Sequence, residues 1–239
     1  DFNNLLTVIL GNLELARLRA PDAPIHDLLD EASASSRRAA ELCRLMLATS
    51  GRGRVADETV DLCELTAAVA DAARDDLPPG VQLELALSRR LPELRGDPEQ
   101  IRQAIEHLLQ NALESVADHG GRVVLRTSVV DLGSDTMEEA SFGNRVSAGA
   151  FAALEVIDDG PGIPKELADR IFEPFFSTRF TGRGLGLPAT LGIARGHGGG
   201  VTVHDTAGGG ATLRLLLPVG RRAPADVSPP PEPAAGNAR

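Results

Sequence analysis

Apolar residues recur at two different periods along the chain, and each period predicts its own kind of element. From residue 60 to residue 220, short apolar or alternating runs are separated by amphipathic stretches. This pattern predicts an α+β domain in which helices cover one face of a mixed sheet. The predicted strands are 60–62, 81–87, 123–130, 151–157, 201–204 and 211–217, and the predicted helices are 62–76, 97–116 and 185–194. Residues 131–150 are polar and show no clear hydrophobic period, so we expect a hairpin excursion of variable length there.

The first fifty residues follow a heptad-like pattern instead. Apolar positions step by four and three residues, break at Pro21 and Pro24, and then resume. The seam positions are Phe2, Leu6, Ile9, Leu13 and Ala16, followed by Ile25, Leu28, Ala32, Ser35, Ala39, Leu42 and Met46. A two-helix hairpin with one seam on each helix buries both seams in a four-helix bundle formed by two chains. Packing of the hairpin onto its own globular domain is the alternative.

Composition marks the boundaries between these parts. The segment Gly51-Arg-Gly-Arg54 is a polar, glycine-bearing linker. We therefore expect a helical hairpin over residues 1–50, a linker over 51–59 and the α+β domain over 60–220. Residues 221–239 are rich in proline and alanine, and a disordered tail is expected there.

Charge and cysteine content narrow the class of protein. The formal net charge of −10 argues against a nucleic-acid partner, because such surfaces are normally basic. Two cysteines are too few for a disulfide framework, so we expect a reducing, cytoplasmic location. The apolar runs are too short to cross a bilayer. Since the chain begins with Asp1 rather than Met, we expect a fragment, with any membrane contact made through segments outside it.

Two glycine-bearing turns offer candidate chemistry. The predicted strand 151–157 ends in Asp158, a carboxylate followed by Gly160 and Gly162. A second turn with Gly182, Gly184 and Gly186 opens the last predicted helix, where exposed backbone N–H groups suit a polyphosphate. Each pattern alone is common in ordinary loops. Together they indicate a nucleotide site, with an acceptor for a base beside a cradle for phosphates.

A third feature lies on the predicted helix 97–116. His107 and Asn111 are four residues apart and therefore share one side of that helix. The amide of Asn111 can supply one neutral oxygen to Mg²⁺, which takes the rest of its ligands from phosphates and water. An isolated asparagine on a helix is more often a solvated polar residue.

The order of these motifs resembles the catalytic core of a sensor histidine kinase of the hybrid or PAS type, whose ATP-binding domain belongs to the GHKL superfamily. Residues 105–112 resemble the N box, 157–164 the first glycine box, 170–179 the F box and 180–187 the second glycine box. The resemblance implies a dimerisation and phosphotransfer hairpin followed by an α/β sandwich. It covers nearly the whole chain.

The resemblance also implies a role for each site residue, with ATP and Mg²⁺ as cofactors. Asp158 would accept a hydrogen bond from the adenine amino group, with Thr212 as a water-mediated helper, and Asn111 would hold Mg²⁺. The backbone at Gly160 and Gly162 would approach the base, and the arginines of a short lid, Arg179 and Arg183, would lie near the β- and γ-phosphates. The second glycine box would cradle the phosphates through Gly182, Gly184, Leu185 and Gly186.

The implied reaction is transfer of the γ-phosphate to a histidine of a homodimer, and then to an aspartate of a response-regulator receiver domain. In the family the acceptor histidine directly precedes the position of Asp1, which would help to take up its proton, and Asn4 would orient water. Related ATPases such as gyrase carry a water-activating glutamate where this chain has His107, so we predict phosphotransfer rather than fast hydrolysis. A non-catalytic dimeric adaptor is the alternative, and an anti-sigma-type serine kinase ranks last.

Overall fold

The computed structural model describes one α+β domain and a few positions before it. The described residues are 56–133, 146, 148–168, 170–177, 184–206 and 208–220, together with 9, 11–13, 15–16, 29, 32–33 and 36, all of which are helical. The predicted hairpin and the predicted tail therefore lie largely outside the described residues. Among the described residues, no helix is both long enough and apolar enough to span a bilayer.

Seven strands and three helices form the described part of the domain. The strands are β1 (Glu58–Val60), β2 (Val81–Ala86), β3 (Leu94–Gly96), β4 (Gly121–Leu132), β5 (Gly149–Asp158), β6 (Gly200–Asp205) and β7 (Ala211–Pro218). The helices are α1 (Leu62–Ala73), α2 (Pro98–Val116) and α3 (Gly186–Gly196), with short 3-10 turns at Arg74–Asp76 and Arg170–Phe172.

Five strands form the main sheet in the order β2-β4-β5-β7-β6. The pair β2–β4 is parallel and every other pair is antiparallel, so the prediction of a mixed sheet is confirmed. The sequence pattern did not predict β3, which pairs with β1 in a separate two-stranded sheet. β1 begins at Glu58, two residues before the predicted start of the domain, where Glu58 pairs with Gly96 of β3. It ends at Val60 rather than Leu62, because Asp61 caps α1 and Leu62 already belongs to that helix.

Helix α2 is the main partner of the sheet. Asp97 caps its first turn, with Oδ1 accepting the backbone N–H groups of Glu99 and Gln100 at 3.0 and 3.2 Å, a contribution of about 1 kcal/mol. Its apolar stripe is buried against the sheet and the other helices, at Ile101, Ala104, Ile105, Leu108, Leu109, Ala112 and Val116. The opposite, polar side of α2 is thereby held in a fixed orientation.

The face of the sheet opposite α2 carries an ion-pair cluster around Glu155. The carboxylate of Glu155 on β5 has a side-chain exposure of only 10% and accepts a hydrogen bond from Arg214 Nε at 2.9 Å. Arg126 lies 3.5 Å from its other oxygen. Toward the far end of β5, a small apolar cluster of Val146, Phe151, Ala153 and Leu216 covers the same face.

Candidate functional site

A row of polar residues follows one side of α2. His107, Asn111 and Ser115 are spaced by four residues and so lie one above another, with about 6 Å between successive Cβ atoms. All three are half-buried. The row begins beside the first residue of α3 and ends at the carboxylate that terminates β5.

Asp158 is that carboxylate, and only 3% of its surface is exposed. Its Oδ1 accepts hydrogen bonds from Ser115 Oγ at 2.9 Å, Gly160 N at 2.9 Å and Ala211 N at 3.4 Å. Within the described part of the chain, no donor reaches Oδ2. The surrounding protein therefore saturates one oxygen and leaves the other for an external donor, as expected for a residue that binds an amino group.

Backbone segments meet closely around this carboxylate. A Cβ on Gly160 would lie 1.9 Å from Ser115 Oγ, and Gly162 packs against the carbonyl of Gly210. Gly210 has φ +89°, and a Cβ there would lie 2.0 Å from the Asp158 carbonyl oxygen. No side chain fits at Gly160 or Gly210, so the turn after β5 and the turn before β7 together form a narrow, backbone-lined edge.

The aromatic segment and the second glycine turn are joined through their backbones. Gly184, at φ +60°, accepts the Phe175 N–H at 2.8 Å, and a Cβ on it would lie 2.5 Å from the Phe175 carbonyl carbon. Phe172 is buried in the core, and the Arg170 guanidinium lies 4.4 Å from the centre of the Phe176 ring. Phe175 itself is 63% exposed with φ +69°. It therefore contributes its backbone rather than its ring to this anchor.

The N-terminus of α3 lies beside His107. Leu185 is buried and packs with Ala189, and a Cβ on Gly186 would lie 3.5 Å from the Cβ and Cγ atoms of His107. Within the described residues, no side chain caps α3. The first-turn N–H groups and the positive end of the helix dipole therefore suit an anionic group at this end of the polar row.

His197 connects α3 to the start of α2. It is 3% exposed, its Nδ1 lies 2.8 Å from the Ile193 carbonyl oxygen, and Asp97 N donates to its Nε2 at 3.0 Å. The neutral ring with the proton on Nδ1 satisfies both contacts. Burial lowers the pKa of His197, while the Ile193 hydrogen bond and the Asp97 charge oppose that shift. The neutral ring thus holds the two site-bearing helices together.

Thr212 does not lie where the predicted role requires it. It pairs with Ile157, and neighbouring residues on a strand face opposite sides, so its side chain lies on the face away from Asp158. Its hydroxyl is 2.9 Å from that of Thr206. The predicted water-mediated role of Thr212 beside Asp158 is therefore wrong in this geometry. The neighbouring residue, Ala211, reaches Asp158 through its backbone N–H instead.

Ser115 contacts Asp158 although the motifs did not indicate it. A signal for it existed, because Ser115 stands four residues after Asn111 and so continues the His107–Asn111 side of the helix. Five predicted site residues lie outside the described residues, namely Asp1, Asn4, Arg179, Gly182 and Arg183.

The described residues fit a nucleotide with a magnesium ion. They contain no group of three or more His, Cys, Asp or Glu side chains able to hold a metal. The Asn111 amide makes no hydrogen bond within the described part of the chain and is half-buried. This arrangement suits an ion that takes one neutral oxygen from the protein and its other ligands from phosphates and water.

The fold and this edge of the sheet define an α/β sandwich of the GHKL type, a class of nucleotide-binding domain. Residues 96–221 match the family described as "Histidine kinase-, DNA gyrase B-, and HSP90-like ATPase". The chain belongs to this family.

Individual relatives agree with the resemblance drawn from the motifs. The chain is 31% identical over 223 residues to the sensor kinase CckA of Brucella abortus, covering 91% of this chain and 23% of that protein. It is 30% identical over 225 residues to the sensor histidine kinase ZraS of Escherichia coli K12, covering 92% and 43%. The chain thus spans less than half the length of these curated relatives. The resemblance to sensor histidine kinase catalytic cores is confirmed.

A solved structure has a similar fold. Full-length ShkA, solved in complex with AMPPNP, superposes with a TM-score of 0.67 at 24% identity, covering 93% of this chain and 45% of that one.

Proposed function

We propose that this chain is the ATP-dependent core of a protein-histidine kinase in a two-component system. The observation that carries the proposal is the Asp158 carboxylate, which is buried, has three donors on Oδ1 and presents Oδ2 at the end of β5. An adenine amino group is the kind of donor that this oxygen would accept. The AMPPNP complex of ShkA, whose fold is similar, supports a nucleotide in the same class of domain.

The phosphates would lie at the other end of the polar row. Gly184, Leu185 and Gly186 lead into an uncapped helix N-terminus, which favours negative charge. Asn111 would hold Mg²⁺, whose charge offsets that of the phosphates. Arg179 and Arg183 would approach the β- and γ-phosphates and offset their negative charge. Phosphoryl transfer depends mainly on such positioning and electrostatics.

His107 supports transfer rather than hydrolysis. It occupies the position at which the water-activating ATPases of the superfamily carry glutamate. The neighbouring Glu106 is paired with Arg102 and is 45% exposed, so it is engaged away from the polar row. We expect slow steady-state ATP turnover by this domain. Fast turnover that persists in His107→Ala would contradict the assignment.

The acceptor would come from the N-terminal hairpin, residues 1–50, in a dimer. The seam residue Ile9 is 46% exposed in the single chain, which supports a partner helix over it. Asp1 would assist proton removal from a histidine just before it, and Asn4 would orient water for dephosphorylation of a response regulator. The linker 51–59, the catalytic domain 60–220 and a cytoplasmic location belong to the same proposal.

Nucleotide binding tests the first half of the proposal. We expect Asp158→Asn to weaken Mg·ATP binding, measured by calorimetry, by at least about tenfold, because a charged acceptor is replaced by a neutral amide. Asp118→Asn, a change at an exposed position just after α2, is the matched control. Absence of ATP binding by the unmodified chain would favour the non-catalytic adaptor.

Labelling tests the second half. The chain and a version extended upstream by the preceding residue are incubated with γ-labelled ATP and Mg²⁺. Acid-labile label on the extended chain alone is the expected result. ATP binding without label on either chain would contradict the histidine kinase assignment while leaving the nucleotide site intact.

A further inference from the structure

Ser115 is the one residue whose side chain donates to the Asp158 carboxylate within the described part of the chain. Its Oγ lies 2.9 Å from Oδ1, whereas the other two donors, from Gly160 and Ala211, are backbone N–H groups. Those backbone donors remain in place whatever side chain occupies position 115. The hydroxyl is thus the part of this shell that a substitution can remove.

We propose that Ser115 is a positioning residue that sets the preference of this site for a 6-aminopurine. The inference rests on the proposed function, since it concerns how Asp158 recognises the base. By donating to Oδ1, the hydroxyl fixes the rotation of the carboxylate and directs Oδ2 toward the ligand. A carboxylate in that orientation accepts from an amino group and repels a carbonyl oxygen at the same position of a purine.

Contact with the glycine turn holds the hydroxyl in place. A Cβ on Gly160 would lie 1.9 Å from Ser115 Oγ and 3.0 Å from the Ser115 carbonyl oxygen. The hydroxyl therefore occupies the space that a side chain at position 160 would take, between α2 and the turn after β5. Ser115 lies at the base end of the polar row, two turns beyond His107, so its loss leaves the phosphate end unchanged.

Removal of the hydroxyl should alter discrimination more than folding. In Ser115→Ala, Asp158 keeps its two backbone donors but gains rotational freedom. ATP should then bind about tenfold more weakly, while inosine triphosphate, which has a carbonyl at that position, should bind no more weakly than before. The nucleotide ratio, defined as the dissociation constant of inosine triphosphate divided by that of ATP, should therefore fall by about tenfold. A purely structural role would weaken both nucleotides together and leave the ratio unchanged.

The experiment measures dissociation constants of Mg·ATP and Mg·inosine triphosphate by calorimetry for the unmodified chain, Ser115→Ala and Ser115→Cys. Ser128→Ala, a serine on β4 away from Asp158, is the matched control and should keep the original ratio. The thiol of Ser115→Cys is a weaker donor, so its ratio should lie between those of the serine and alanine chains.

The outcomes separate this inference from the proposal on which it rests. If the unmodified chain binds ATP and Ser115→Ala keeps its nucleotide ratio, the positioning role is refuted and the nucleotide site stands. A ratio for Ser115→Cys at or above that of serine also refutes it. If the unmodified chain binds neither nucleotide, the proposed function itself is refuted.

Discussion

Protonation of His197 should weaken the folded domain. The ring lies between the last turn of α3 and the first residue before α2, and it accepts the Asp97 N–H through Nε2. A proton on Nε2 removes that acceptor and creates a charge in a site that is 3% exposed. Burial accordingly lowers the pKa of His197 in the folded state. The unfolded chain therefore binds this proton at a higher pH than the folded domain does.

The size of the effect follows from this difference in proton binding. With an unfolded pKa of about 6.5, the unfolded state gains a proton as the pH falls through that value, and the free energy of unfolding decreases. For one group that stays neutral when folded, the loss between about pH 7.5 and pH 5.5 has an upper limit of about 1.4 kcal/mol. This corresponds to a fall of roughly 3–6 °C in the unfolding temperature of a domain of this size.

Denaturant unfolding at several pH values across that window measures the effect. His197→Gln offers an amide that does not titrate, so the pH dependence should be smaller by the His197 contribution. Gln82→Ala, a change at an exposed and non-titrating residue of β2, is the control and should keep the original slope. Equal slopes for the original chain and His197→Gln would refute the reasoning.

Two further predictions concern stability. Gly210→Ala should destabilise the domain by more than about 3 kcal/mol, because its Cβ would overlap a backbone carbonyl, whereas Gly208→Ala, with φ +97° and open space around it, should cost only about 1–2 kcal/mol. Similar losses in chemical denaturation would contradict the close contact. Glu155→Ala should cost about 2 kcal/mol, since it leaves Arg214 without its carboxylate, whereas Glu84→Ala, in an exposed pair, should cost less than about 0.5 kcal/mol. Equal thermal shifts would show that the charge on β5 contributes no more than a surface pair.

Periodicity predicted the elements that bury an apolar face, and it failed where pairing depends on distant partners. The helix after Asp97 and the strand before Asp158 are confirmed because each repeats its own period over many residues. β3 has only three residues and forms through pairing with β1, which no local pattern encodes. The strands β4 and β5 also extend beyond their predicted ends, since Asp131 pairs with Ala150 and Leu132 with Gly149.

The positions of site residues were predictable where they belong to a motif with fixed spacing. They were not predictable where a contact depends on which face of the sheet a side chain occupies. Asp158 lies at the end of β5 and Asn111 on α2, where their motifs predicted them, and their binding roles stay predictions. Thr212 was misassigned because one residue of register moves a side chain to the opposite face. Ser115 was missed because its importance comes from a contact with a strand 43 residues away in sequence.

The shell around Asp158 also limits which pieces of the chain can be studied alone. Its donors come from positions 43 residues before the carboxylate and 53 residues after it, as well as from the adjoining turn. A truncated chain that ends before β7, or that begins after α2, cannot assemble this acceptor, however well its remaining elements fold. The proposed recognition of the base would therefore require the completed domain, and nucleotide binding would show that the segments before and after β5 have assembled.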